Sequence, residues 1–195
     1  TNCTFNGSVT AATSYAGGIT GYNGNYTNID TCRVAGTITA SASYAGGITG
    51  TSVGTSSYRN AVTSCTNAAK VSVNTSYAGG IVGENSYSNI QYCNNGGDVY
   101  GSSYLTGGIT GHNKSSATVV YCVSTSYVNN GGAIVGHNEA TATGNFYDKQ
   151  RTSAKGISST DGTSADQSGK AVGLLTEAMT GSAPSGLSGD GWTPA

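Results

Sequence analysis

Tyr77-Ala78-Gly79-Gly80-Ile81-Val82-Gly83-Glu84-Asn85 is one of five versions of a single phrase. Gly-Gly-Ile also stands at Gly17-Gly18-Ile19, Gly46-Gly47-Ile48 and Gly107-Gly108-Ile109, each time followed by one residue and another Gly. The variant Gly132-Ala133-Ile134-Val135-Gly136 closes the series. Recurrence at a period of 20 to 50 residues marks a repeat architecture, in which each repeat is one structural unit stacked on the next.

The cysteines measure the same period independently. Cys3, Cys32, Cys65, Cys93 and Cys122 are separated by 29, 33, 28 and 29 residues. From each of the first four to the Gly that closes its own phrase (Gly21, Gly50, Gly83, Gly111) the distance is 18. Two unrelated markers therefore share one phase. The longer spacing comes from extra residues within Thr51 to Ser64, which reads as a loop insertion and not a change of unit.

Aligning the repeats on these markers exposes aliphatic columns. Val9, Ile38, Val71, Val99 and Val128 lie six residues after each Cys; Ile19, Ile48, Ile81 and Ile109 lie sixteen after it. Ile29, Val62, Ile90 and Val119 precede the next Cys by three. Small residues (Gly7, Gly36, Ala69, Gly97) alternate with the first column, the period-2 pattern of a strand with one buried face. Each repeat thus offers three short β-favouring runs.

Composition agrees. Gly supplies 31 of 195 residues and only 9% are charged, as suits many short strands joined by Gly- and Asn-rich corners. Both prolines, Pro184 and Pro194, fall outside the repeats, so no parallel ladder is interrupted. The expected fold is all-β: a right-handed parallel β-helix (solenoid) of about five coils, stacked at about 4.8 Å per coil, with a small C-terminal capping segment. Residues 1–150 form the five-repeat β-helix; 151–195 form a Gly/Ser-rich loop and a short helical cap. In that cap Thr176 starts a helix through Met179, Gly181 ends it, and Leu174, Leu175, Met179 and Trp192 cover the end of the last coil.

Several columns carry side chains with chemical potential. Five cysteines at the coil spacing read as a buried thiol file, since free Cys behaves as a small hydrophobe and five cannot all pair. Tyr15, Tyr44 and Tyr77 make an aromatic column with Tyr104 beside its next place. They are the candidate ligand contacts, able to receive sugar rings on their faces, against a bland reading as corner packing. Asn23, Asn85, Asn113 and Asn138, with Ser52 replacing Asn once, read as a structural amide ladder. Just ahead of it runs Tyr22, Thr51, Glu84, His112, His137. Glu84, His112 and His137 are the residues that would hold a divalent ion, but no fourth ligand accompanies them, and solvated turn residues explain them equally. The expectation is no metal and no cofactor. Lys70 and Asp98 share a column and suggest a weak surface ion pair.

Catalytic motifs are missing. The chain has no His-Glu-x-x-His, no Gly-x-Ser-x-Gly, no phosphate-binding Gly-rich loop and no Cys-x-x-Cys. Asp30, Glu84, Asp98 and Glu139 do not recur in one column as a carboxylate pair would. A net charge of -1 argues against nucleic acid, and no stretch is apolar enough to insert in a membrane.

Tyr77-Ala78-Gly79-Gly80-Ile81-Val82-Gly83-Glu84-Asn85, with Ile90 and Cys93 after it, resembles the GLUG-motif repeats of bacterial secreted and surface-attached proteins. The resemblance covers about residues 1 to 150 and extends to Asn145-Phe146-Tyr147-Asp148-Lys149-Gln150, Gly173-Leu174-Leu175-Thr176-Glu177-Ala178-Met179 and Gly191-Trp192. It implies a β-helix within large adhesin-like proteins, some of which carry a metallopeptidase domain whose motif this chain lacks. The resulting expectation is a non-enzymatic, extracellular adhesin-like or stalk module on the bacterial surface or secreted from it. It would present repeated polar columns to glycan or protein partners. The chain begins in phase with its repeat, so it reads as a piece of something longer. An uncapped N-terminal coil permits the alternative of a filament subunit that self-associates end to end. Less favoured are a β-helical carbohydrate-active enzyme and an ice-binding surface, the latter prompted by an outward column of Thr20, Thr49 and Thr110.

Overall fold

A computed structural model of the chain describes residues 1–24, 26–41, 43–160 and 169–180. Nearly all regular structure in them is β-strand, and the strands pair in parallel from one repeat to the next to form a solenoid of about six turns. Trp192, Pro184, Pro194 and Gly181 lie outside the described residues, as do residues 161–168 of the Gly/Ser-rich loop.

Each coil has four faces, one more than the three β-favouring runs suggest. Face A holds Thr4–Ala11, Arg33–Ala40 and their successors; face B is the short Tyr15–Gly17, Tyr44–Gly46, Tyr77–Gly79 series. Face C holds Thr20–Asn23 through Val135–Asn138, and face D holds Asn28–Asp30 through Thr141–Thr143. Face B rests on only two or three residues per coil, too few for a visible alternation.

The columns read from the sequence are register partners. Val9 pairs with Ile38, Ile38 with Val71, and Val71 with Val99. Ile48, Ile81, Ile109 and Ile134 are fully buried in one file, linked by amide-to-carbonyl bonds of 2.9–3.0 Å. Ile19 heads the file half-buried, because the first coil has a neighbour on one side only. The insertion in the second coil closes as a turn at Thr55–Tyr58, and pairing resumes in register at Asn60–Thr63.

The glycines of the phrase are required by close approach. A Cβ on Gly46 would collide with the Thr49 carbonyl oxygen, and one on Gly47 with the Gly80 carbonyl and the Asn67 side chain. At these two glycines the chain therefore runs against neighbouring backbone with no room for a side chain.

Cys32, Cys65, Cys93 and Cys122 are buried and free; Cys3 is free and exposed. Each buried thiol donates to the carbonyl two residues before it, at 3.1–3.4 Å. Burial pushes the Cys32 and Cys93 thiols above the ordinary value; at Cys65 the neighbouring Cys93 leads and burial adds to it. The residue before each Cys turns the corner from face D to face A in the left-handed region: Thr31, Ser64, Tyr92 and Tyr121 have φ of 52–56°.

The stack continues beyond the last Cys. Asn145 takes the next place in the thiol file, its Oδ1 accepting the Cys122 amide at 2.9 Å. Phe146 pairs with Val123, Ile157–Thr160 extends face C, and Ala171–Leu174 extends face A. The coil count is thus about six, with the last built from residues assigned above to the loop and cap.

The short 3-10 helix Thr176–Met179 forms where expected but sits differently. Its N-cap position is Leu175, without a side-chain cap; the Thr176 hydroxyl instead donates to Asp148 Oδ2 at 2.7 Å. Met179 packs with Val123, Phe146 and Leu174 as a separate apolar cluster on the outer side of face A. The described part of this segment therefore covers the side wall, two rungs back from the last strand.

Candidate functional site

Glu84, His112 and His137 occupy one column of face C, continued by Ser159 in the sixth coil. The expected solvated turn is instead a tight network on strands Val82–Ser86, Thr110–Lys114 and Val135–Asn138. Glu84 and His112 are each only 7% exposed. His112 Nε2 lies 2.8 Å from Glu139 Oε1, and His137 Nε2 lies 3.1 Å from the same oxygen. On the other side, His112 Nδ1 is 3.6 Å from Glu84 Oε2, which also receives Lys114 Nζ at 3.0 Å. His137 Nδ1 is 2.7 Å from Ser159 Oγ.

Glu139 is the residue missing from the column reading. It lies two positions past His137, around the corner, and reaches back to both rings. One donor atom from each of His112, His137 and Glu139 lies within 4.8 Å of the other two. Glu84 stands behind His112, held by Lys114, and does not join that set. The only sequence signal for Glu139 is a lone carboxylate beyond the fifth phrase, too weak to choose it.

Charge is balanced within the cluster. Burial works against ionised His112, but Glu84 and Glu139 outweigh it and hold its pKa above the ordinary imidazole value. Burial likewise opposes ionised Glu84 and Glu139; their contacts with the cationic groups beside them, His112 and Lys114 for Glu84 and the two histidines for Glu139, lower both.

The tyrosine column runs into the same cluster. Tyr15 and Tyr44 stack at 5.1 Å, Tyr44 and Tyr77 at 5.0 Å, and Tyr77 stacks on His112 at 5.3 Å with planes 10° apart. His112 thus takes the fourth place in the stack. Tyr104 meets the edge of His137 at 5.9 Å instead and stays exposed. Both faces of Tyr44 and Tyr77 are covered by neighbouring rings, so a sugar cannot stack on either; Tyr15 and Tyr104 keep freer surfaces. Burial, and next Glu84, push the Tyr44 and Tyr77 phenols upward.

The amide ladder is present with one defect. Asn85 Nδ2 donates to Asn113 Oδ1 at 2.9 Å, and Asn113 Nδ2 to Asn138 Oδ1 at 2.8 Å. At the second coil Ser52 turns to Ser88, 2.8 Å away, and the buried Asn85 Oδ1 is left without a donor. Two other expectations are corrected. Thr49 and Thr110 are fully buried, their hydroxyls bonded to the carbonyl two residues on, so the threonine column offers no outward ice-binding face. Lys70 lies over the Tyr100 ring at 4.5 Å, while Asp98 pairs with Arg151 at 3.2 Å.

The comparisons follow from this repeat geometry. The family model described as the GLUG motif matches residues 12–39, one full turn from face B to the next face A. Over those residues the chain is similar to that motif. No curated protein matches it. Among solved structures, the chain is similar to one named "putative immunoglobulin A1 protease" from Bacteroides ovatus, at 23% identity and a TM-score of 0.63. That likeness covers 88% of this chain and 58% of the other, so this solenoid spans under two thirds of that protein. At this identity the likeness concerns the fold alone. Among the described residues no helix is long and apolar enough to cross a membrane.

Proposed function

We propose that this chain is a non-enzymatic, extracellular adhesin-like or stalk module of a bacterial surface or secreted protein. Its work is to hold polar side chains at a fixed pitch for contact with glycan or protein partners. The supporting observation is the in-register outward columns of face D: Asn28, Asn89, Thr118 and Thr141 in one, interrupted by Ala61, and Asp30, Thr63, Gln91 and Thr143 in the next, interrupted by Val120. Each group alone binds weakly, and repetition at the strand spacing of about 4.8 Å multiplies the contacts. The GLUG motif fits this setting.

The peptidase named for the Bacteroides ovatus protein is not assigned to this solenoid. Among the described residues, Glu84 is paired with Lys114 and His112, Glu139 with two histidines, Asp98 with Arg151 and Asp148 with Thr176. The test displays the chain on beads against immobilised glycans and extracellular proteins, and in parallel incubates it with immunoglobulin A1 and with oligosaccharides. Retention that rises steeply with display density, without cleavage, supports the proposal. Cleavage of either substrate overturns it, and fibres in electron micrographs would assign the chain to a filament.

A further inference from the structure

We propose that His112, His137 and Glu139 form a binding site for a divalent transition-metal ion of the zinc class on the wall of the fourth and fifth coils. The site is independent of the adhesive reading.

The backbone supplies the first part of the argument. His112 and His137 are direct partners in a parallel ladder, so their rings leave adjacent strands side by side, with centroids 5.2 Å apart. Glu139 follows on the corner and places Oε1 at 2.8 and 3.1 Å from the two Nε2 atoms. Tetrahedral zinc, with bonds of about 2.0–2.2 Å, requires donor atoms about 3.3 Å apart. Both observed separations lie a few tenths of an ångström below that value, and one donor atom from each residue lies within 4.8 Å of the others. Small rotations of side chains on fixed strands bring the donors onto one ion.

The opposite edges of the rings supply the second part. A metal-bound imidazole generally donates its other N–H to a carboxylate, carbonyl or hydroxyl that fixes its tautomer. His137 Nδ1 faces the Ser159 hydroxyl at 2.7 Å. His112 Nδ1 is buried without a hydrogen-bond partner and faces the Glu84 carboxylate at 3.6 Å. Lys114 holds that carboxylate in place at 3.0 Å. Both rings can thus keep a proton on Nδ1, while an entering metal ion displaces the Nε2 protons that face Glu139. A chance ion pair needs no such backing on both rings.

The donor set chooses the metal class. Two imidazoles and one carboxylate suit zinc, nickel or copper, and are poor in oxygen for calcium or magnesium. The Glu139 side chain is 33% exposed, so the fourth position opens to solvent, where water completes the shell.

The experiment uses the untagged full chain in a Cys3→Ser background, which removes the exposed thiol as a competing ligand. After chelator treatment, zinc chloride and calcium chloride are titrated separately by calorimetry, and melting temperature is recorded with and without zinc. The expected result is one zinc per chain, a raised melting temperature and no calcium binding. Glu139→Gln and His137→Ala abolish both effects, and Glu84→Gln weakens zinc about tenfold or more through the outer shell. Should His137→Ala fail to fold, the nearly isosteric Glu139→Gln carries the same test. Absence of zinc binding, or zinc binding unchanged in Glu139→Gln, overturns the proposal.

Discussion

Coils one to three and coils four to six are furnished differently beside Gly-Gly-Ile, with a face B column in the first group and a face C column in the second. In the first three, Tyr15, Tyr44 and Tyr77 stack ring on ring at 5.0–5.1 Å. From the fourth on, the stack passes to His112 and its neighbour His137, braced by Glu84, Lys114, Glu139 and Ser159. One half is held by ring contact, which salt leaves alone; the other by charge, which salt screens. The ring stack crosses from a face B column to a face C column at Tyr77 and His112, so the two halves differ both in the face that supplies the side chains and in what those side chains can do.

The sharpest contrast lies in the thiol file, where the ends of the solenoid part. In the native protein a thiol reagent should modify Cys3 alone, with Cys32, Cys65, Cys93 and Cys122 slower by roughly a thousandfold or more, because they react only on opening. Mass spectrometry after timed alkylation checks this. Burial raises the thiol pKa of Cys32 and Cys93, so the stability they lend is full below the ordinary thiol value of 9.0 and is lost as pH rises past it. Chemical denaturation at pH 8 and pH 10 should show that loss.

The aliphatic file gives the next effect. Ile81→Ala, in mid-stack and fully buried, should cost about 2–5 kcal/mol. Ile19→Ala, at the half-buried head, should cost roughly half as much. Equal costs would mean that the first coil is covered as well as the third. Tyr44→Ala removes two stacking contacts of about 0.5–1.5 kcal/mol each, with a cost unchanged between low and high salt. Ser52→Asn should act in the other direction. It offers the orphaned Asn85 Oδ1 a donor from the preceding coil, and a gain of about 1 kcal/mol in urea unfolding is expected.

The sequence shows the period, the parallel stacking and the buried columns because each rests on one residue type repeated in phase. Val9 facing Ile38 and Gly17 facing Gly46 are direct readings of that phase. Face B escapes because three residues carry no alternation. The left-handed corner escapes because Thr31, Ser64, Tyr92 and Tyr121 share a backbone conformation and no side-chain chemistry. The sixth coil lacks both Cys and Gly-Gly-Ile; only the register of Asn145-Phe146 with Cys122-Val123 reveals it. For the cluster, the column of Glu84, His112 and His137 is legible, but Glu139 enters from around a corner, where register no longer tracks position.

Native-state hydrogen exchange at low and at 1 M salt, on the chelator-treated protein, tests the contrast between the two halves most directly. The account predicts that the amides of Thr110–Lys114 and Val135–Asn138 lose protection in salt while those of Tyr44–Gly46 and Tyr77–Gly79 keep theirs. A uniform change along the solenoid, or a loss confined to the tyrosine coils, would contradict it.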